Sequence, residues 1–155
     1  MSSSDPSSSA REATIAVLRD TGSKVILSIK VPGLQRRHSI IKAILNYFRK
    51  ASDPFRLSSN AIFKNYSLTE NGLDFSVDVY ESKQARKQRS EIKQEYFLKI
   101  AQFPSKINSD SAEFELVEGE SGDCYFLLTC IKLDNLRENW KDYLATHGTL
   151  DKSRL

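Results

Sequence analysis

The sequence is poor in the residues that build most catalytic and metal centres. Its 155 residues include two cysteines, two histidines, six glycines and four prolines. No apolar run approaches the ~18–20 residues that a membrane-spanning helix needs, so no membrane association is expected. Residues 1–10 are rich in serine and have neither a basic start nor an apolar stretch, which argues against a secretory signal. Cys124 and Cys130 lie in the run Cys124-Tyr-Phe-Leu-Leu-Thr-Cys130, which reads as one strand. At about 3.3 Å per residue they would stand roughly 20 Å apart, well beyond the ~7 Å limit for a disulfide. A reducing, intracellular setting, cytoplasmic or nuclear, is therefore expected.

The same scarcity limits the chemistry. No glycine pattern forms a nucleotide-phosphate cradle, and GxSxG, HExxH and CxxC are all missing. His38 follows two arginines, Arg36 and Arg37, whose charge opposes metal binding, and His147 sits beside the helix-stopping Gly148. Asp74 and Asp78 share one side of a strand, but four residues separate them by about 13 Å, too far to share a metal and wide for a glycosidase pair. The expectation is a protein that is not an enzyme and has no cofactor and no metal.

The sequence does carry a lopsided distribution of charge. Residues 21–52 hold seven bases and no acid, whereas residues 110–123 hold six acids and no base. Residues 82–103 hold six bases against Glu91 and Glu95. Arg36, Arg37, Lys42, Arg49, Lys83, Arg86, Lys87 and Arg89 are the candidate basic binding surface, for an acidic protein or for nucleic acid. Tyr47 and Tyr80 are the aromatics available to stack on bases.

Hydrophobic periodicity supplies the elements. Two β-rich runs, 14–19 and 24–31, flank an Asp20-Thr21-Gly22-Ser23 turn. Ile40, Ile41, Ile44, Leu45 and Phe48 recur at helical spacing, predicting a helix from about 36 or 39 to 50. Segments 62–69 and 74–81 flank Asn71-Gly72, which predicts a type I′ hairpin with Leu68 opposite Phe75 and Tyr66 opposite Val77. Residues 82–103 divide between two readings, a helix with an Ile92, Tyr96, Ile100, Phe103 stripe and a basic loop followed by a strand, and helix propensity favours the first. A second hairpin, 113–118 with 124–133, turns at residues 120–123 and places a nearly continuous apolar strand centrally. A last helix is predicted over 135–146, capped by Asn135 and stopped by Gly148. Its stripe includes Leu136, Trp140 and Leu144, which would either anchor the helix on the core or dock it into a partner's groove.

The element order of strand, helix, Asn-Gly hairpin, basic segment, strand and the Ile131-Lys-Leu-Asp-Asn-Leu136 exit resembles the N-terminal domain of Argonaute proteins. The glycine-rich opening strand of that domain is missing, no catalytic or guide-binding region is expected within these residues, and no residue role carries across.

These features predict an α+β fold, a two-layer sandwich in which a mainly antiparallel sheet of five or six strands carries helices on one face. Residues 13–146 read as a single α+β domain, 1–12 as a disordered Ser-rich tail and 147–155 as a flexible C-terminal tail. The expected function is a non-enzymatic interaction module, an adaptor or complex subunit, with another protein as partner. RNA or DNA binding through segments 36–50 and 83–93 is the alternative.

Overall fold

A computed structural model describes residues 9–36 and 51–154. Among the described residues the fold has two layers and is mostly β, with an α+β-like complement of one eight-residue helix and one single-turn helix. The strands are β1 (Arg11–Glu12), β2 (Thr14–Asp20), β3 (Lys24–Lys30), β4 (Ala61–Leu68), β5 (Leu73–Val79), β6 (Gln94–Ile100), β7 (Glu113–Glu118) and β8 (Cys124–Ile131). A one-turn helix, α1 (Lys83–Lys87), precedes β6, and α2 (Trp140–His147) follows β8.

The expected single sheet of five or six strands is instead two four-stranded sheets, ordered β1-β6-β5-β4 and β2-β3-β8-β7. The hairpins in the sequence are present, but the pairing of β3 with β8 joins residues about a hundred positions apart. Nothing local specifies that partner. The chain changes sheets at buried Ala13, between β1, which runs parallel to β6, and β2, which runs antiparallel to β3.

Alternation explains the packing. Val25, Leu27 and Ile29 of β3 point inward, as do Leu73, Phe75, Val77 and Val79 of β5 and Phe126, Leu128 and Cys130 of β8. These side chains belong to one buried cluster. Aromatic rings join the layers: Phe63 lies 6.0 Å from Phe126, and Tyr66 lies 5.8 Å from Phe114. Phe55, ahead of β4, caps this aromatic edge with contacts to Phe63 and Tyr66. Outer strands β2 and β4 each carry a bulge, at Leu18 and Lys64, a device that discourages pairing with a further strand.

Several predicted details differ. The β4–β5 hairpin has Leu68 opposite Leu73 and Tyr66 opposite Phe75, so its loop contains four residues, 69–72, rather than two. Asn71 and Gly72 do not adopt the positive φ of a type I′ turn. Instead the Thr69 hydroxyl accepts from the Asn71 and Gly72 N–H groups, at 3.2 and 3.1 Å. A two-residue shift preserves parity, and Tyr66, Leu68, Phe75 and Val77 still share the inner face.

The helix favoured for 82–103 is confined to α1, and 94–100 form β6. Tyr96, Leu98 and Ile100 alternate inward, and a place between β1 and β5 outweighs helix propensity. The last helix begins at Trp140 rather than at 135. Asn135 adopts φ 46°, which ends any helical path there, and Asn139 is the cap, its side chain accepting from Asp142 N–H at 3.0 Å. Gly148, at φ 72°, closes the helix as its left-handed cap.

The segment expected to be a flexible C-terminal tail is built into the fold at Leu150 and Asp151, and residues 152–154 follow as a short, exposed 3-10 turn. Leu150 is buried, and the Asp151 carboxylate accepts from the N–H groups of Ala101, Gln102 and Ser153. At the other end Arg11 and Glu12, assigned to the disordered head, pair with β6. The helix predicted up to residue 50, and residues 1–8 of the head, lie outside the described residues.

Candidate functional site

The basic residues are positioned by a buried polar knot at one end of the sheets. The side chain of Asn60, fully enclosed, donates to the carbonyls of Gly33 and Tyr80 at 2.8 and 2.7 Å. Its oxygen accepts from Gln35 N–H at 2.9 Å and from the Ser58 hydroxyl at 2.9 Å. Gln35 Nε2 in turn donates to the Glu81 carbonyl at 3.1 Å. These bonds tie residues 33–36 to the end of β5, from which α1 departs. Nothing in the sequence around Asn60 signals this role, because each of its partners comes from a distant segment.

α1 is then set by its own cap. The Ser82 hydroxyl accepts from Ala85 N–H at 3.1 Å, and Arg89, at φ 50°, turns the chain away after one turn and a half. Lys83, Lys87 and Arg89 are exposed, and Arg86 is half-buried. None of the four is in an ion pair with a described residue, in contrast to Lys30, Lys64, Lys93, Lys106 and Lys132, each paired with a carboxylate. Arg36 is half-buried at the same end. Arg37, Lys42 and Arg49, the rest of the expected surface, lie outside the described residues, as do His38 and Tyr47. Tyr80 is buried and has no face open to a base.

The acidic hairpin is partly compensated by its neighbours, with Asp123 3.5 Å from Lys30. At the start of β8, burial pushes the Cys124 thiol up. Glu118 and Asp123 add to that shift, while Arg36 opposes it. Burial pushes the Cys130 thiol up to about 12. Both thiols are buried and free.

A second polar cluster lies on the outer face of β4, β5 and β6. Lys64 Nζ stands 2.7 Å from Glu95 and 3.9 Å from Asp78, which face each other across β5 and β6. Burial raises the Asp78 carboxyl, Lys64 opposes that rise and Glu95 adds to it. The Glu95 hydrogen bond raises the Lys64 ammonium against the effect of burial. The Asp74–Asp78 pair weighed in the sequence is thus split, because Asp78 belongs to this three-residue cluster. Among the described residues no group of three or more His, Cys, Asp or Glu side chains is arranged to hold a metal. His147 packs against the Tyr143 ring at 4.3 Å.

The proposed docking stripe of the last helix is not assembled. Trp140 is fully buried, stacked on Phe103 at 5.1 Å, with its indole N–H donating to Ser105 Oγ at 3.0 Å. Leu136 precedes the helix and is half-exposed, and Leu144 packs partly against the core. Of the two readings weighed for this helix, anchoring on the chain's own core fits Trp140. The anchor missed in the sequence is the ion pair of Asp20 and Lys132, both enclosed, with Lys132 Nζ 2.9 and 2.8 Å from the two carboxylate oxygens. Asp20 also accepts from Trp140 N–H at 2.8 Å, and Lys132 donates to the Glu138 carbonyl at 2.8 Å. Burial alone would raise the Asp20 carboxyl, but the bonds from Lys132, Trp140 and Gly22 hold it below the ordinary carboxylate value.

No protein-family model matches the chain, and no curated protein matches its sequence. The likeness in element order to Argonaute N-terminal domains therefore assigns no role. No helix of the described residues is long and apolar enough to cross a membrane.

Proposed function

We propose that this protein is a non-enzymatic interaction module, an adaptor or complex subunit, that presents the basic turn of residues 83–89 to an acidic surface on a partner protein. One observation carries the reading: Lys83, Lys87 and Arg89 are exposed on an ordered, capped turn, with Arg86 half-buried beside them, and none has a carboxylate partner among the described residues. Leaving cations uncompensated at one end creates a positive field that steers an acidic partner. Nucleic acid is the lesser alternative, because Tyr80, one of the two stacking aromatics, is buried. The free buried thiols fit a reducing compartment, and we place the protein inside the cell on that basis.

The test is affinity purification of the tagged chain from its native cells, with and without nuclease, beside a Lys83→Glu, Lys87→Glu, Arg89→Glu variant. A co-purifying protein should survive nuclease and be lost from the variant, with an unchanged melting temperature. Equal recovery with the variant would overturn the proposal. Loss on nuclease treatment, together with retention on single-stranded RNA that falls steeply with salt, would transfer the surface to nucleic acid.

A further inference from the structure

The first strand leaves its sheet early. Ala13 N–H still donates to the Phe97 carbonyl at 2.8 Å, and from Thr14 onward the backbone pairs with β3 in the other layer. The β1–β6 pairing therefore ends at Glu12 and Phe97. Along a strand the N–H and C=O of alternate residues point to the same side. Those of Lys99, two residues past Phe97, thus face the gap that β1 has vacated. They point away from β5, where Lys99 stands opposite Asp74.

A cavity of about 360 Å³ occupies this gap, toward the small end of the ~300–1,000 Å³ range of ligand sites. Its lining is mostly polar, with Ile15, Leu98 and Leu144 contributing an apolar part, and its charged lining consists of Glu12, Lys99 and Arg154. All three charged residues are exposed, and neither Lys99 nor Arg154 is in an ion pair with a described residue. The seam thus combines a backbone N–H and C=O of Lys99 beyond the last β1–β6 pair, with no strand partner on that side among the described residues, an apolar part of the wall and an excess of positive charge.

We propose that this seam binds the carboxy-terminal two or three residues of a partner polypeptide in extended form. The peptide backbone bonds to Lys99 as an added strand would. Its last apolar side chain lies against Ile15, Leu98 and Leu144, and its free carboxylate is held by Lys99 and Arg154. A fatty acid would satisfy the walls and the charge but would leave the Lys99 backbone groups without a partner. The site does not depend on the basic turn, since residues 83–89 precede the start of β6 and the seam lies along its last residues.

The experiment is an amide ¹⁵N titration of the full chain with three probes. These are a pool of N-acetylated tripeptides ending in Leu, Val or Ile with a free carboxylate, the same pool amidated at its C-terminus, and octanoate. The free-carboxylate pool should move the amides of Lys99, Leu144 and Gly148. Arg154→Glu, which removes one exposed ion pair and adds a repulsion, and amidation, which removes the pairs to both Lys99 and Arg154, should each weaken that binding by at least about fivefold, with the melting temperature of the variant unchanged. Unmoved amides with the free-carboxylate pool, an equal response to the amidated pool or to octanoate, or full binding by Arg154→Glu would each overturn the proposal.

Discussion

At Gly72 a Cβ atom would stand 2.1 Å from the Ile100 carbonyl oxygen and 2.9 Å from that of Ala101. The position needs glycine for space, because its φ is not positive. Gly122 is the converse case, with φ 87° and no atom near the site of a Cβ. Gly72→Ala should therefore cost at least about 3 kcal/mol in urea denaturation, against about 1 kcal/mol for Gly122→Ala, which only strains a turn. The buried Asp20–Lys132 pair gives a second prediction at this scale. Lys132→Met leaves an enclosed carboxylate without its cation and should cost about 3–5 kcal/mol in the same measurement.

The carboxyls also set a pH profile. Asp20 and Asp151 are held below the ordinary value, burial being outweighed by the hydrogen bonds each accepts. Their contribution is present above the unfolded value of about 3.9 and is lost as pH falls through the folded one. Asp78 is raised, so the folded state takes up its proton first, and stability grows as pH falls through the folded value toward about 3.9. Chemical denaturation from pH 7 to pH 2 should thus show a small rise and then a loss. Asp78→Asn should abolish the rise and stabilise the protein at neutral pH, whereas Asp20→Asn should flatten the loss.

Among elements, α2 is held by its first residue more than by its length. Trp140 packs on Phe103, bonds to Ser105 and offers its N–H to Asp20. Trp140→Ala should cost about 3–5 kcal/mol. It should also speed amide exchange of 140–154 well before the β3–β8 pair opens, because that pair lies at the centre of its sheet. Uniform acceleration across both sheets would show that α2 does not open as a separate unit. The elements also show where the sequence was legible. The β2–β3 and β7–β8 hairpins and the Gly148 stop were readable, since turn residues and alternation act over a few positions. β6 was misread because Lys, Gln and Glu around Ile92 and Tyr96 favour a helix locally, while the gain from filling a slot between β1 and β5 appears only in three dimensions.

For the molecule as a whole, two apolar layers enclose both thiols. Cys124 and Cys130 should resist a thiol reagent at neutral pH in the folded state and both react on denaturation. Rapid labelling of Cys130 without denaturant would show that the layers do not close over β8. Charge is organised at the same scale. The sequence located the basic run 83–89 and the acidic run 110–123, but the partial neutralisation of the latter by Lys30, and the delivery of Arg36 to the end from which α1 departs, come from the fold.

The sequence by itself determined the inward and outward faces of β3, β4 and β5, three hairpins, the absence of a Cys124–Cys130 bridge and the sign of charge in each segment. All of these follow from periodicity and from residues a few positions apart. Only the tertiary structure decided the division into two sheets, the Asn60 knot, the Asp20–Lys132 anchor and the seam beside Lys99. Each depends on partners tens of residues away, whose pairing is chosen by shared burial and by the need to satisfy enclosed polar groups.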